Sequence, residues 1–232
     1  MSSLLERKRR ALIMGSGGWW LPPNFDPEDC VCAYQFKGAV DEATALSDLS
    51  GNGYTLTKQY QVPENAAWNN DSGFYLGGFG GTTWRVPHGL DNSSVNRDQI
   101  KSVIVRFKEG NVASIAYSIF YRDDTITMWF GHNPTICQTS DSITRTSDYQ
   151  VIGHNIGWNR ESHLSEFYKN GSSVANNFNY TNYDAKTYVM NLFGGSGAQG
   201  NIGGVTIVGG AFYKRWMTDA EMSYISDQLA AI

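Results

Sequence analysis

Three tryptophans in this 232-residue sequence stand beside polar side chains that could bind a sugar. Sugar recognition combines an aromatic ring, which packs against the apolar face of the sugar, with amide, carboxylate or imidazole groups that bind its hydroxyls. The candidate groups are Trp68 with Asn70 and Asp71, Trp129 with His132, and Trp158 with Asn159. Because tryptophans commonly pack in a core or at its rim, structural packing is the alternative for each of them.

The acidic residues show no spacing that favours catalysis. Glycoside hydrolysis needs two facing carboxyl groups, and in a strand residues two apart share a face. Glu161 and Glu166 are five apart and so point to opposite faces, while the acidic pair at 123–124 is typical of a turn. A second carboxylate could still come from another strand. We therefore predict no catalytic residue and keep a glycoside hydrolase as an alternative.

Nucleophilic catalysis and metal binding have little support in the sequence. No strand precedes Ser16, and none of the histidines stands in the setting of a catalytic base. These histidines are His88, His132, His154 and His163. Calcium needs several oxygen ligands, and only Asp91-Asn92 and Asp123-Asp124 suggest such a cluster. We predict no metal and no cofactor, with calcium as the alternative.

The cysteines do not suggest a disulfide framework. Cys30 and Cys32 are two apart, so on a strand they are expected to share a face with Tyr34 and Phe36, and Cys137 is distant in the sequence. An odd number of cysteines without paired spacing predicts small buried thiols.

Residues 1–29 differ in composition from the rest of the chain. On a helix the apolar and basic side chains of the first turns separate onto opposite faces. We predict that this basic amphipathic arm anchors the chain, through Leu4, Leu5, Arg7, Lys8, Arg9, Arg10 and Leu12. The run GSGG at 15–18 ends the predicted helix, and WWLPP at 19–23 predicts an extended linker.

An isolated helix this short is marginal in water, so the arm needs a surface that holds it. Its own domain, a sister subunit and a larger assembly are the alternatives. Because the chain as a whole carries a net charge of −4, we expect no nucleic-acid partner. No run approaches the roughly 18 apolar residues of a membrane span. The apolar run at 11–14 is shorter than the roughly 7 residues of a secretory signal, so we expect synthesis in the cytoplasm without a signal peptide.

From residue 30 onward the pattern indicates β-structure. Short runs rich in β-branched and aromatic residues, such as SVIVRF and TITMWF, alternate with turn clusters such as those at 50–53 and 170–171. One helix is predicted near the end, because Thr218 and Glu221 form a capping box. An apolar stripe follows on it, made of Met222, Ile225 and Leu229. Many strands with one convincing helix predict an all-β, two-sheet antiparallel sandwich.

Three segments, taken in order, resemble the laminin-G-like, concanavalin A-like domains. They are the strand AYQF at 33–36 with the turn DLSGNG at 48–53, the hairpin EFYKNG at 166–171, and the closing strand GVTIVGGAFY with its capped helix. The resemblance covers residues 30–232 and implies a jelly-roll sandwich. This architecture is found in glycosidases, lectins, adhesion modules and structural domains, including proteins of bacteriophage virions.

Together these observations predict an N-terminal arm at 1–29 and a laminin-G-like domain at 30–232. We expect a non-catalytic structural or receptor-binding component of a larger assembly such as a phage particle, with glycan binding by the sandwich. A free-standing carbohydrate-binding lectin is the first alternative. The expected partners are a glycan and other protein subunits, in a homo-oligomer or a larger assembly, and the expected location is a virion or a cell exterior.

Overall fold

The computed structural model describes residues 18–58, 67–76, 87–96, 99–109, 117–122, 125–130, 135–136, 143–144, 148–155, 166–176, 192–196 and 205–232. The strands in these ranges are β1 Cys30–Gln35, β2 Thr57–Lys58, β3 Ala67–Asn69, β4 Gly73–Tyr75, β5 Pro87–Asp91, β6 Ser102–Glu109, β7 Tyr117–Arg122, β8 Thr125–Phe130, β9 Thr135–Ile136, β10 Ile143–Thr144, β11 Gln150–Asn155, β12 Glu166–Lys169, β13 Ser172–Asn176, β14 Phe193–Ser196 and β15 Val205–Tyr213. The helices are α1 Glu42–Leu46 and α2 Asp219–Ala231. No helix in these ranges is long and apolar enough to cross a membrane.

The larger sheet is built around β15. Its strand order is β13-β12-β11-β6-β15-β4-β3, and β1 also pairs with β15. β6 pairs with one edge of β15, and the other edge pairs first with β4 and then with β1, all antiparallel. A bulge at Val208 separates these two partners. The carbonyl oxygen of Val208 accepts hydrogen bonds from the backbone N–H groups of Phe36 and Lys37, at 2.8 and 3.1 Å.

Two smaller antiparallel sheets lie in the second layer. One has the order β14-β5-β2 and the other the order β10-β9-β8-β7, and β7 lies beside β14. Leu90 of β5 and Phe193 of β14 are fully buried and share a core with the larger sheet. The predicted all-β sandwich with one C-terminal helix is therefore confirmed, and α1 is a short addition to it.

The larger sheet is buried on both faces where α2 packs against it. Along β6, Val103, Val105 and Phe107 point into the core between the sheets, whereas Ile104 points to the opposite face and into a second core. That second core contains side chains of α2 and of the N-terminal segment. Burial on both faces explains why the strand SVIVRF reads as a nearly continuous apolar run rather than as an alternation.

The helix prediction is confirmed in detail. The backbone N–H of Thr218 donates to Glu221 Oε2 at 2.8 Å, and the backbone N–H of Glu221 donates to Thr218 Oγ1 at 3.3 Å, which completes the capping box. The three residues of the predicted stripe have no exposed surface; they are Met222, Ile225 and Leu229. α2 thus covers the larger sheet with one side only.

The stretch at 19–23 is not the extended linker that its prolines suggested. Two successive turns fold it back, with hydrogen bonds from Leu21 N–H to Gly18 O at 2.7 Å and from Phe25 N–H to Pro22 O at 3.0 Å. Trp19 and Trp20 keep only 4% and 2% of their surface exposed in the second core. The reason is hydrophobic: two indole rings gain far more by covering the sheet beside α2 than by remaining in water.

The Arg215 side chain connects this N-terminal segment to α2, and we call its contacts the Arg215 clamp. The Arg215 guanidinium lies 4.3 Å from the centroid of the Phe25 ring. It also donates to Asp29 Oδ2 at 3.1 Å and, through its two terminal nitrogens, to the Glu221 carboxylate at 2.9 and 2.5 Å. Planar two-point pairing of this kind is the strong form of an ion pair. Residues 25–29 and the first turn of α2 are therefore held by one side chain.

Cys30 and Cys32 do not share a face, contrary to the alternation expected of a regular strand. A β-bulge between them shifts the register of β1 against β15. Cys30 consequently lies in the second core, while Cys32 joins Tyr34 in the core between the sheets. Neither cysteine has any exposed surface. Burial raises the pKa of the Cys30 thiol, so it is an inert core residue, as the sequence predicted.

The predicted turn at 48–53 is a loop whose side chains form hydrogen bonds with the outer edge of β1. Asp48 Oδ1 accepts from the backbone N–H groups of Ala33 and Ser50, at 3.1 and 2.9 Å. Asn52 Nδ2 donates to the carbonyl oxygens of Cys30 and Val31, at 3.0 and 2.9 Å. These hydrogen bonds satisfy backbone N–H and C=O groups of β1 that would otherwise be unpaired at the edge of the sheet.

The predicted hairpin at Asn170-Gly171 is also confirmed. Both residues have positive φ, of 49° and 81°, as a type I′ turn requires. The strands on either side, β12 and β13, pair antiparallel. The turn packs against α2, since a Cβ at Gly171 would lie 3.0 Å from Ser223 Cα.

Candidate functional site

The first predicted sugar-binding group, Trp68 with Asn70 and Asp71, lies on β3 and the turn that follows it. Trp68 is half-buried against the core between the sheets. Its indole N–H donates to the carbonyl oxygen of Phe36 at 2.7 Å. Asn70 and Asp71 are exposed. The polar members of this group thus face solvent, while the indole N–H is engaged by the backbone.

Trp129 lies on β8, opposite Ser118 of β7. His132, Trp158 and Asn159 lie outside the described residues, as do Asp123-Asp124 and the anchoring residues at 4–12.

A site that the sequence did not indicate lies next to the turn after β3. The ring of Tyr149 stands over two cations of β6: its centroid is 5.0 Å from Arg106 Cζ and 5.3 Å from Lys108 Nζ. The Tyr149 hydroxyl lies 3.5 Å from the carbonyl oxygen of Ser72. We call Tyr149, Arg106, Lys108 and the turn at 69–72 the Tyr149 platform.

Strand register explains how these side chains meet. Gln150 pairs with Phe107, so Tyr149, one residue earlier, stands beside Lys108. Because side chains alternate along a strand, Arg106 and Lys108 share the face opposite to Phe107. The platform therefore lies on the outer face of the larger sheet, beyond the end of α2.

Hydrogen bonds fix the shape of the turn in the platform. Asn69 Oδ1 accepts from the backbone N–H groups of Asp71 and Ser72, at 2.9 and 3.1 Å, and from the Ser72 hydroxyl at 3.1 Å. The carbonyl oxygen of Asn70 accepts from Gly38 N–H at 2.8 Å. The side chains of Asn70 and Asp71 are thus presented to solvent on a preorganised backbone.

The two cations of the platform differ in role. Arg106 is half-buried and donates from Nη1 to the carbonyl oxygen of Leu229 at 2.8 Å, so it satisfies the C-terminal end of α2. Burial lowers the pKa of the Arg106 guanidinium, and Tyr149 opposes this shift. Lys108 is exposed. Within the part of the chain that the structure describes, no carboxylate forms an ion pair with either of them.

Glu166, one of the carboxylates considered for hydrolysis, belongs to a network that supports the start of α2. Glu166 Oε2 accepts from Asn155 Nδ2 and from the Tyr168 hydroxyl, both at 3.0 Å. The Tyr168 hydroxyl also lies 2.7 Å from Asp219 Oδ1, and Asn155 Nδ2 is 2.8 Å from the carbonyl oxygen of Met217. Burial and hydrogen bonds to the two carboxylates raise the pKa of Tyr168, so the phenol stays protonated. This geometry positions the helix.

The Asp91-Asn92 pair, considered for calcium, is engaged with the backbone. Asp91 Oδ1 accepts from Leu192 N–H at 3.1 Å, and Asn92 Nδ2 donates to the carbonyl oxygen of Thr55 at 2.7 Å. Among the residues that the structure describes, no three acidic, histidine or cysteine side chains gather as metal ligands would.

Comparisons with known proteins identify the fold. No protein-family model and no curated protein matches the sequence. The structure is similar to the botulinum neurotoxin serotype D binding domain, with a TM-score of 0.53 and 13% identity over 87% of this chain and 52% of that one. It is also similar to the binding domain of neurotoxin DC in complex with rat synaptotagmin II (TM-score 0.53, 12% identity, 88% of this chain and 52% of that one).

A third similar structure concerns neurotoxin type C, whose cell entry depends on interaction with two ganglioside molecules; its TM-score is 0.54, with 11% identity over 88% of this chain and 52% of that one. This chain therefore spans about half the length of the neurotoxin chains that it matches. At these identities the likeness shows a shared fold.

Sequence reasoning missed Tyr149 because it considered tryptophans as the rings for sugar binding, although Asp148 and Gln150 flank Tyr149. Its partners, Arg106 and Ser72, come from β6 and from the turn before β4. The two cations of VIVRFK, Arg106 and Lys108, stand two residues apart, which is a visible signal because both must then share one face of the strand. Which aromatic ring covers them depends on the register of β11 against β6.

Proposed function

We propose that this chain is a non-catalytic binding domain that recognises a glycan, free or on a receptor, at the Tyr149 platform. The observation that carries the proposal is the geometry of the platform. A partly exposed tyrosine ring lies beside two cations and a turn with exposed amide and carboxylate groups, which is the combination that sugar recognition uses.

The similar solved structures support this proposal through the fold. One is a binding domain in complex with rat synaptotagmin II, and another concerns interaction with two ganglioside molecules. Trp129 with His132, and Trp158 with Asn159, remain proposed parts of a second sugar-binding surface.

A glycan array probed with the whole chain tests the proposal. We expect saturable binding that falls by about tenfold in Tyr149→Ala, because loss of a packed ring removes on the order of 1 kcal/mol. Tyr149→Phe keeps the ring and should bind nearly as well as the original chain. Trp216→Ala is the matched control, since Trp216 is a 39% exposed aromatic residue outside the platform.

Absence of saturable binding to any glycan would overturn the proposed function. Binding that is unchanged in Tyr149→Ala but lost in Trp129→Ala or Trp158→Ala would move the site to the second surface.

We further propose that residues 1–17 attach this domain to other subunits of a larger assembly, such as a phage particle or a homo-oligomer at a cell exterior. The laminin-G-like resemblance and the basic amphipathic pattern of the arm support this proposal. Residues 19–25 fold back and pack on the domain. Residues 1–17 are therefore joined to the folded domain at Gly18, without a long linker between them. A free-standing lectin is the alternative.

Deletion of residues 2–17 tests the attachment. We expect the shortened chain to remain folded and to be a monomer, whereas the full chain assembles. Light scattering measures the mass of both. The same oligomeric mass with and without the arm would contradict the proposal.

A further inference from the structure

We infer that the Tyr149 platform selects an anionic glycan, one that carries a carboxylate or a sulfate group. This inference rests on the proposed function and names the chemical class of its ligand. It starts from the two cations, which stand out because the chain as a whole carries a net charge of −4.

Among the residues that the structure describes, no carboxylate forms an ion pair with the two cations of the platform. Lys108 Nζ lies over the Tyr149 ring at 5.3 Å from its centroid, and the ion pairs of the described residues involve other cations. An exposed ammonium next to a ring can keep its cation–π contact and still donate to an anion, because it has three N–H donors. Lys108 is therefore the group of the platform that an anionic substituent can reach.

Arg106, whose Cζ lies 5.0 Å from the centroid of the ring, adds positive potential. Its Nη1 donates to the carbonyl oxygen of Leu229, and the guanidinium has further N–H donors in a fixed fork. Its partial burial reduces screening by solvent, so its field acts more strongly at the ring than that of a fully exposed cation.

The acidic groups near the platform limit where the anion can lie. Asp71 is exposed on the turn and Asp148 precedes Tyr149 in the sequence. Both repel a carboxylate or a sulfate placed close to them. The anion is therefore expected above Lys108, with the neutral part of the sugar over the Tyr149 ring and its hydroxyls toward Asn70 and Asp71.

The test compares three immobilised probes at equal density: lactose, 3′-sialyllactose and 3′-sulfolactose. We expect at least one of the anionic probes to bind about tenfold more tightly than lactose, because it gains a charge-assisted hydrogen bond that lactose lacks. Sialyllactose and sulfolactose distinguish a carboxylate from a sulfate, and preference for either one supports the inference. The binding should weaken as sodium chloride is raised.

Lys108→Gln is the informative variant, because Lys108 is exposed whereas Arg106 supports α2. We expect it to lose about tenfold in affinity for the anionic probe and to leave binding of lactose unchanged. Lys214→Gln is the matched control: Lys214 is also exposed and follows the opposite end of β15.

The outcomes separate the two proposals. Equal binding of lactose and both anionic probes, or an anionic preference that survives Lys108→Gln, overturns the selection of an anion and leaves glycan binding intact. Absence of binding to all three probes and to the wider array overturns the proposed function together with this inference.

Discussion

At the scale of single residues, hydrogen bonds between side chains and backbone groups hold the irregular segments of this domain in place. Asp48 is the fullest example: its two oxygens accept from three backbone N–H groups and from the Ser50 hydroxyl. The turn at 69–72 repeats the arrangement with Asn69. Such side chains hold irregular backbone without regular pairing.

Asp48→Ala is predicted to destabilise the domain by about 2 to 4 kcal/mol, because several N–H groups at the β1 edge lose their acceptor at once. The measurement is the free energy of unfolding in urea. Asp227→Ala is the control, since Asp227 is exposed on α2, and it should stay within about 0.5 kcal/mol. A loss of similar size in both variants would contradict the role of Asp48.

The sequence predicted these turns better than it predicted the candidate site. The D-x-S-G-N-G pattern and the Asn-Gly pair act over a few residues, so their local chemistry decides the backbone. The platform joins Ser72, Arg106 and Tyr149 from three separate segments. Its geometry depends on strand register, and the alternation of side chains along one strand does not determine which strand lies beside it.

At the scale of elements, the start of α2 connects several separate parts of the chain. Its capping box, the network of Glu166 and Tyr168, and the Arg215 clamp all meet there. The capping box was visible in the sequence as Thr218 followed by Glu221. The clamp was not, because Asp29 is remote in the sequence.

This clamp predicts acid sensitivity at Glu221. Its pKa is lowered from the ordinary 4.5, chiefly by the hydrogen bond from Arg215. Because the pKa of Glu221 is lower in the folded than in the unfolded chain, its carboxylate stabilises the folded state fully at pH values above 4.5. This stabilisation is lost as the pH falls through the pKa of the folded state. Glu221→Gln should therefore be less stable than the original chain at pH 7, with a smaller difference at pH 3.

Urea unfolding at both pH values measures the effect. Asp227→Asn, an exposed change on the same helix, is the control for general acid effects. If Glu221→Gln lowers the free energy of unfolding by as much at pH 3 as at pH 7, the ion pair is not the source of the loss.

At the scale of the whole molecule, the N-terminal segment is a structural part of the domain from Gly18 onward. Trp19 donates from its indole nitrogen to Gln35 Oε1 at 3.1 Å, and the Tyr213 hydroxyl donates to the carbonyl oxygen of Trp20 at 2.8 Å. The sequence showed the aromatic character of this stretch. Its docking depended on free surface beside α2, which only the assembled sheet provides.

Two truncations test this organisation. A chain that begins at Gly18 should unfold at the same urea concentration as the full chain. A chain that begins at Asp26 loses both tryptophans and should be destabilised by at least about 3 kcal/mol, the cost of truncating one large buried aromatic side chain. Equal stability of the two truncated chains would show that residues 18–25 add nothing to the core.

The central place of β15 has a consequence for how the chain folds. This strand follows the other described strands in the sequence, yet Cys30 pairs with Tyr213 and Ser102 also pairs with Tyr213. The loops that these pairings close are long, and such non-local contacts form slowly. During synthesis, the edges of β1, β4 and β6 that pair with β15 therefore stay unpaired until β15 has left the ribosome, and the nascent chain is exposed to aggregation until then.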